Sequence, residues 1–188
     1  MHGKYLILLI FMTAQSKAQP EKKNHPTVLV NINIDASIEK SFQYIVPVDL
    51  SHIFKRYKNL PAVDSTGNKD LWYKPGMQRT VYFEDGNTAR EHLLTVNPYT
   101  DFSYKIEDFT SPLKRLTKYI YGKWVFTETA DGKTHIEWSY TLVTKNIFAR
   151  LIVNVFVKKN IKGMLTNALS ILKTDLESGN LYQPSSKE

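Results

Sequence analysis

The sequence predicts an α+β fold in which a curved antiparallel sheet of about seven strands is covered by one long C-terminal helix. Three observations lead there. Residues 146–178 contain no proline and keep a helical apolar stripe. The region before them breaks into short stretches of alternating apolar and polar residues, with no helix of comparable length among them. Two of the breaks are Asp-Gly pairs, which tolerate positive φ and close hairpins.

The 188 residues suffice for one domain with a substantial core. Lys4 precedes an apolar run from Tyr5 to Met12, and Ser16-Lys17-Ala18 sets small residues where signal peptidase needs them. Residues 1–18 are therefore expected to be an export signal, with an uncleaved N-terminal anchor as the alternative. The run is too short to span a bilayer, and no cysteine near the junction offers a lipid-modified anchor. Loss of Lys4 and Lys17 lowers the formal charge from +7 to +5. That mild excess gives no reason to expect a nucleic-acid partner. Lys158, Lys159 and Lys162 read as a solvated helix face, with transient contact at an anionic membrane surface as the secondary expectation. Without cysteines no disulfide framework exists, so stability rests on the core, which fits a periplasmic or other extracytoplasmic bacterial setting.

Residues 19–26 read as a polar leader. From Thr27 to Asp35 the alternation puts Val28, Val30, Ile32 and Ile34 on one face of a strand. Ser37 then caps a short helix carrying Ile38, Phe42 and Ile45, which Pro47 stops. A second helix is expected from Asp49 to about Tyr57, where Leu50, Ile53, Phe54 and Tyr57 keep helical spacing. Residues 59–68 read as a loop with some strand character, and Leu71 to Tyr73 as a strand. Gln78 to Phe83 and Thr88 to Val96 form a hairpin about Asp85-Gly86, and Asn97-Pro98 turns the chain into a strand from Phe102 to Phe109. Ser111-Pro112 ends it. Lys118 to Thr129 and Thr134 to Thr144 form a second hairpin about Asp131-Gly132. Asn146 is placed to cap the last helix and Gly179 to end it in the left-handed conformation. Residues from Tyr182 onward read as a frayed tail.

This order, together with Pro75-Gly76 and Arg79 before a strand, the Asp85-Gly86 turn, Arg90-Glu91 on the return strand, Pro98, Tyr104 and the run Thr134 to Trp138, resembles the SRPBCC superfamily, also called START-like or Bet v 1-like. Within it the chain is most similar to the polyketide cyclase/dehydrase and lipid-transport branch. The resemblance covers residues 27–178 and sets the domain at 27–179, with 180–188 a flexible tail. It implies a helix-grip architecture whose sheet and long helix enclose a mainly hydrophobic tunnel. It implies no shared catalytic residue set, and a fold alone does not settle a function.

Alternation assigns the inner faces. If Asp85, Gly86 and Asn87 form the first hairpin's loop, Glu84 faces Thr88 and Val81 faces Glu91. Arg79, Val81, Phe83, Glu91 and Leu93 then share the apolar face, with Arg79 diagonally across from Glu91 and near enough for a salt bridge. A pair within the cavity would serve specificity or ligand binding, a pair at the sheet edge in contact with water is the alternative, and a loop of two or four residues would set the two on opposite faces. The later strands add Phe102, Tyr104, Ile106, Ile120, Trp124, Phe126, Ile136, Trp138, Tyr140 and Leu142. On the last helix Phe148, Leu151, Ile152, Val155 and Phe156 are expected to turn inward, continued by Ile161, Leu165, Ala168, Leu169, Leu172 and Leu176, with a membrane-touching face over Phe148 to Val157 as the lesser alternative. Glycine within a helix costs about 1 kcal/mol relative to alanine, so Gly163 reads either as a bend or close approach or as a plainly tolerated residue.

The candidate ligand-binding set is thus Arg79, Val81, Phe83, Glu91, Leu93, Tyr104, Ile106, Trp124, Phe126, Trp138, Tyr140, Ile152, Val155 and Phe156. An elongated apolar pocket with a few polar anchors is how small-molecule sites are built. The five histidines are scattered, so no metal site is expected, and no cofactor motif is present. Gly-x-Ser-x-Gly is absent, and Gly132-Lys133-Thr134 lacks the first glycine of a phosphate-binding loop. His92 and His135 fall on outward faces. Glu91 is the one candidate base for a cyclase-type reaction. The expected function is binding or carriage of a small hydrophobic ligand such as a lipid, isoprenoid or aromatic metabolite. A cyclase/dehydrase-type enzyme and a protein-interaction module with a self-filled cavity are the alternatives.

Overall fold

The computed structural model describes residues 24–67 and 72–183. The expected export segment, residues 19–23 of the leader, Leu71 and residues 184–188 lie outside the described residues. Seven strands, β1 (Thr27–Ile34), β2 (Val63–Thr66), β3 (Gln78–Phe83), β4 (Thr88–Asn97), β5 (Asp101–Glu107), β6 (Thr117–Glu128) and β7 (Thr134–Thr144), form one antiparallel sheet in the order β1-β7-β6-β5-β4-β3-β2. Two short helices, α1 (Ile38–Ile45) and α2 (Leu50–Ile53), connect β1 to β2. Those strands sit at opposite edges of the sheet. The connection therefore crosses from one edge to the other, and the side chains of α1 and α2 are buried in the same core as the inner sheet face.

Local chemistry fixes these helices. Ser37 Oγ accepts from Lys40 N at 3.3 Å and Asp49 Oδ1 from Ser51 N at 2.9 Å, each meeting an N–H that the first turn leaves unpaired. The second helix is a single turn rather than a run to Tyr57. Beyond Phe54 the chain reverses at Lys58, φ 52°, and Tyr57 and Leu60 exchange backbone bonds of 3.0 and 2.9 Å. Phe54 and Tyr57 find their apolar partners without helix: Phe54 meets Trp138 edge-on, and Tyr57 lies over Gly163. Strand β2 accounts for the strand character expected within the loop at residues 59–68. Trp72 and Tyr73, expected in a strand, are in irregular structure.

The first hairpin keeps a three-residue loop but centres it one residue earlier than expected. Phe83 N bonds Asn87 O at 2.9 Å, so the loop is Glu84-Asp85-Gly86, with Gly86 at φ 79°. A three-residue hairpin wants glycine at its third position, where the left-handed conformation leads into the return strand. Val81 therefore pairs with Ala89, and Arg79 stands directly opposite Glu91 rather than diagonal to it. Because the shift is two residues, every inner-face assignment survives.

The terminal helix has three parts: α3 (Ile147–Ile152), a π-helical turn (Val153–Val157) and α4 (Lys158–Ser178). Asn146 Oδ1 accepts from Ala149 N at 2.9 Å, and Gly179 ends the run at φ 74°. In α4 the expected stripe Ile161, Leu165, Ala168, Leu169, Leu172 and Leu176 is buried. Before it the expectation fails. Phe148, Leu151, Ile152, Val155 and Phe156 are exposed, and the segment is seated by Ala149 and Val153. A π turn adds a residue and so shifts the phase of the stripe, and α3 packs chiefly on the end of β7 rather than across the sheet.

Tyr182 is fixed rather than frayed. Its ring stacks on His52 with centroids 4.1 Å apart, and its N–H donates to Tyr44 Oη at 3.2 Å. Asp175 Oδ2 accepts from Tyr44 Oη at 2.8 Å and lies 2.7 Å from His52 Nε2, tying α4 to both short helices. Gly163 marks a close approach, because a Cβ there would fall inside the Tyr57 ring. Gly163→Ala is thus expected to raise stability by about 1 kcal/mol in a Tyr57→Ala background, through helix propensity, and by less or not at all with Tyr57 present. Thermal unfolding of the four proteins in this cycle checks the coupling; equal effects in both backgrounds would contradict the contact.

Candidate functional site: an aromatic cavity with a buried ion pair

Between the short helices and the inner face of the sheet lies a cavity of about 20 Å³. One water needs roughly 10–15 Å³ of such space, so this cavity is almost filled by the side chains that line it. One wall comes from the helical crossover: Ile45, Val46, Val48, Leu50, Ile53 and Phe54. The other comes from the sheet: Arg79, Glu91, Phe102, Tyr104, Trp124 and Trp138. Trp72 completes it, so all three tryptophans of the chain touch this space.

Strand register assembles the sheet wall. Arg79 pairs with Glu91, Glu91 with Ile106, Leu93 with Tyr104, Phe102 with Trp124, and Trp124 with Trp138. The aromatic rings stack in succession: Phe102 on Trp124 at 5.5 Å and Trp124 on Trp138 at 4.0 Å between centroids. Such offset pairs add to the burial of their area.

Two polar groups interrupt this surface. Arg79 Nε donates to Glu91 Oε2 at 2.6 Å, with the side chains 7% and 4% exposed. The Arg79 guanidinium also lies 4.2 Å from the centroid of the Trp72 ring, a cation–π contact. The second group is the Tyr104 hydroxyl. It accepts from Trp138 Nε1 at 2.8 Å and Trp124 Nε1 at 3.3 Å, and donates to Tyr140 Oη at 3.3 Å. Burial, then the nearby Glu91 charge, pushes the Tyr104 phenol well above its usual range. Burial raises Tyr140 in the same way. Both are neutral at physiological pH and act as hydrogen-bonding groups rather than bases.

Of the residues expected to bind ligand, Arg79, Glu91, Tyr104, Trp124 and Trp138 line the cavity. Val81, Leu93, Phe126 and Tyr140 are buried on the same sheet face, and Phe83 and Ile106 pack partly buried against that core. Ile152, Val155 and Phe156 lie apart, 43%, 65% and 69% exposed, so no residue of α3 or the π turn contributes to this cavity. Nor does α4, although the long helix was expected to close the tunnel. His92 faces Glu107 on the outer sheet surface, Nε2 to Oε1 3.1 Å, and His135 faces Asn33 there.

The sequence reading missed the crossover wall, Trp72 and Gly122. Apolar spacing in α1 and α2 announces burial but not which side chains border a cavity. Gly122 carried a usable signal, being the inward position between Ile120 and Trp124 that lacks a side chain. The Tyr104 ring occupies the space its Cβ would fill. Among the described residues, no group of three or more His, Asp or Glu side chains is placed to hold a metal.

A family model described as "Polyketide cyclase / dehydrase and lipid transport" matches residues 25–177. No curated protein matches the chain. Solved structures with the same fold include Ara h 8.0201, with 21% identity, TM-score 0.62, and coverage of 81% of this chain and 98% of that one. Ginseng major latex-like protein 151 from Panax ginseng has 12% identity and TM-score 0.59, covering 80% and 97%. Protein MLL2253 from Mesorhizobium loti has 16% identity and TM-score 0.59, covering 81% and 98%. The match over nearly all the described residues, together with the helix-grip topology, makes this chain a member of the polyketide cyclase/dehydrase and lipid-transport family of the SRPBCC superfamily.

Proposed function

We propose that this protein binds a small hydrophobic ligand with one polar group, a lipid, isoprenoid or aromatic metabolite, and carries it outside the cytoplasm. The family fold supports hydrophobic-ligand binding in general. For this chain the observation that carries the reading is the Arg79–Glu91 pair on a cavity wall. Desolvating two charges costs several kcal/mol per ion, and a hydrophobic replacement is often as stable. A packed core gains little from such a pair; a site that must orient a polar head gains a fixed donor and acceptor. Apolar contact with the stacked rings would supply affinity at roughly 25 cal/mol per Å² buried. The extracytoplasmic setting is supported by Lys4, the apolar run at residues 5–12 and Ser16-Lys17-Ala18.

A ligand requires more than 20 Å³, since an apolar cavity that takes up benzene measures roughly 150 Å³. In this reading the crossover wall yields. The sheet wall is held by ladders on both sides of each strand, whereas α2 is one turn followed by irregular chain. The small volume also favours a second reading, an interaction module whose interior is permanently self-filled. A cyclase-type enzyme has Glu91 as its only base on the cavity wall, and Oε2 of that carboxylate is engaged by Arg79.

Native mass spectrometry of the protein as purified, before and after organic extraction, separates the first two readings. An adduct of lipid or metabolite mass that extraction removes is expected; a bare mass in both samples, with no uptake of added fatty acid, would favour the self-filled module. Glu91→Gln is expected to weaken retention of a polar-headed adduct. Loss of turnover on a reactive polyketone with unchanged adduct retention would make the enzyme reading the better one. Gly122→Ala probes the wall itself. Its Cβ displaces Tyr104 and leaves two indole N–H groups unpaired, so stability should fall by about 2–4 kcal/mol with a red shift of tryptophan emission. Unchanged unfolding and emission would contradict the described packing.

A further inference from the structure

The start of the terminal helix turns its apolar face to solvent. Ile147, Phe148, Leu151, Ile152, Val155 and Phe156 are each at least 43% exposed, and Phe148 reaches 74%. Their spacing sets them side by side on one helix face, which makes a contiguous patch and not the scattered exposure normal for soluble proteins. The helix is therefore inside-out over this stretch, with Ala149 and Val153 on its buried side.

Charge along the chain at and beyond the patch has one sign. From Lys145 to Thr174 the sequence contains no Asp or Glu, while Lys145, Arg150, Lys158, Lys159 and Lys162 all fall there. None of these five pairs with a carboxylate among the described residues. We propose that this face docks on the surface of an anionic lipid bilayer, with Phe148, Leu151, Val155 and Phe156 among the headgroups and the flanking cations against lipid phosphates.

Charge complementarity selects this occupant. A second copy would bring the same cations against themselves across a symmetric contact. The chain's own first 23 residues carry Lys4, Lys17, Lys22 and Lys23 against the single acid Glu21, so they offer no complement either. Position agrees: Arg150 Nη1 donates to Asn24 O at 3.4 Å, which joins the N-terminal segment to the domain beside the patch. No helix among the described residues is long and apolar enough to cross a membrane, so the contact lies along the surface. The inference holds whatever the cavity binds.

Co-sedimentation of the full chain with phosphatidylglycerol/phosphatidylcholine vesicles and with pure phosphatidylcholine vesicles tests it. Preference for the anionic vesicles of at least about tenfold is expected, lost in Lys158→Gln/Lys159→Gln/Lys162→Gln. The patch variant Phe148→Ser/Val155→Ser/Phe156→Ser should lose at least about tenfold on the same vesicles while keeping its circular dichroism. Because the chain has no cysteine, an environment-sensitive dye on Val155→Cys should shift to the blue on anionic vesicles. Equal binding to both vesicles, or wild-type binding by the patch variant, would overturn the proposal and assign any binding to the N-terminal run. An unshifted dye would overturn it too, as would a dimer that the patch substitutions dissociate without affecting vesicle binding.

Discussion

A buried arginine and glutamate, each in contact with the other and with a cavity, constrain the sheet half of this molecule. The Arg79–Glu91 pair is tolerable at 7% and 4% exposure because the partners stand directly across a strand ladder and the guanidinium finds a second partner in the Trp72 ring. Direct opposition requires the three-residue hairpin ending at Gly86. A slip by one residue would turn one of the two charges to the opposite face and leave the other buried without its partner. Loop chemistry and site chemistry thus depend on one register.

The rest of the sheet wall follows the same logic of polar groups satisfied from within. Tyr104 gathers two indole donors and the Tyr140 hydroxyl, so three aromatic side chains from β6 and β7 are held in fixed orientation by one oxygen. Space for that ring exists because β6 carries glycine at position 122. The opposite wall brings no polar side chain to the cavity, although Tyr44 and His52 of its helices are tied to Asp175 of α4. It is made of aliphatic side chains and Phe54 on two short helices and their connection. Under the proposed function the crossover is the wall that would move to admit ligand, while the polar anchors on the sheet stay in place.

Alternation in the strands, Ser37 and Asn146 as caps, and Gly179 as a terminator made the architecture readable, since each is a local signal with a local outcome. The inner face was readable for the same reason: alternation survives a two-residue register error. What escaped depends on distant partners. Tyr57 leaves the helical pattern because α4 offers it Gly163, and the crossover borders the cavity because β1 and β2 lie at opposite edges. The exposed patch ranks behind core burial in the sequence for a different reason. An apolar stripe in a sequence implies a partner but does not say that the partner is inside the molecule, and the π turn allows the stripe to face outward before α4 and inward along it.

Whether Arg79 and Glu91 are kept for ligand or for stability decides the account. The double substitution Arg79→Met/Glu91→Leu removes both charges and fills their volume, and the measurement is chemical denaturation together with retention of the extractable adduct by native mass spectrometry. The account predicts stability unchanged or raised, by up to about 4 kcal/mol, with the adduct lost. A fall of about 3 kcal/mol or more with the adduct retained would contradict it and make the pair a structural element of the sheet.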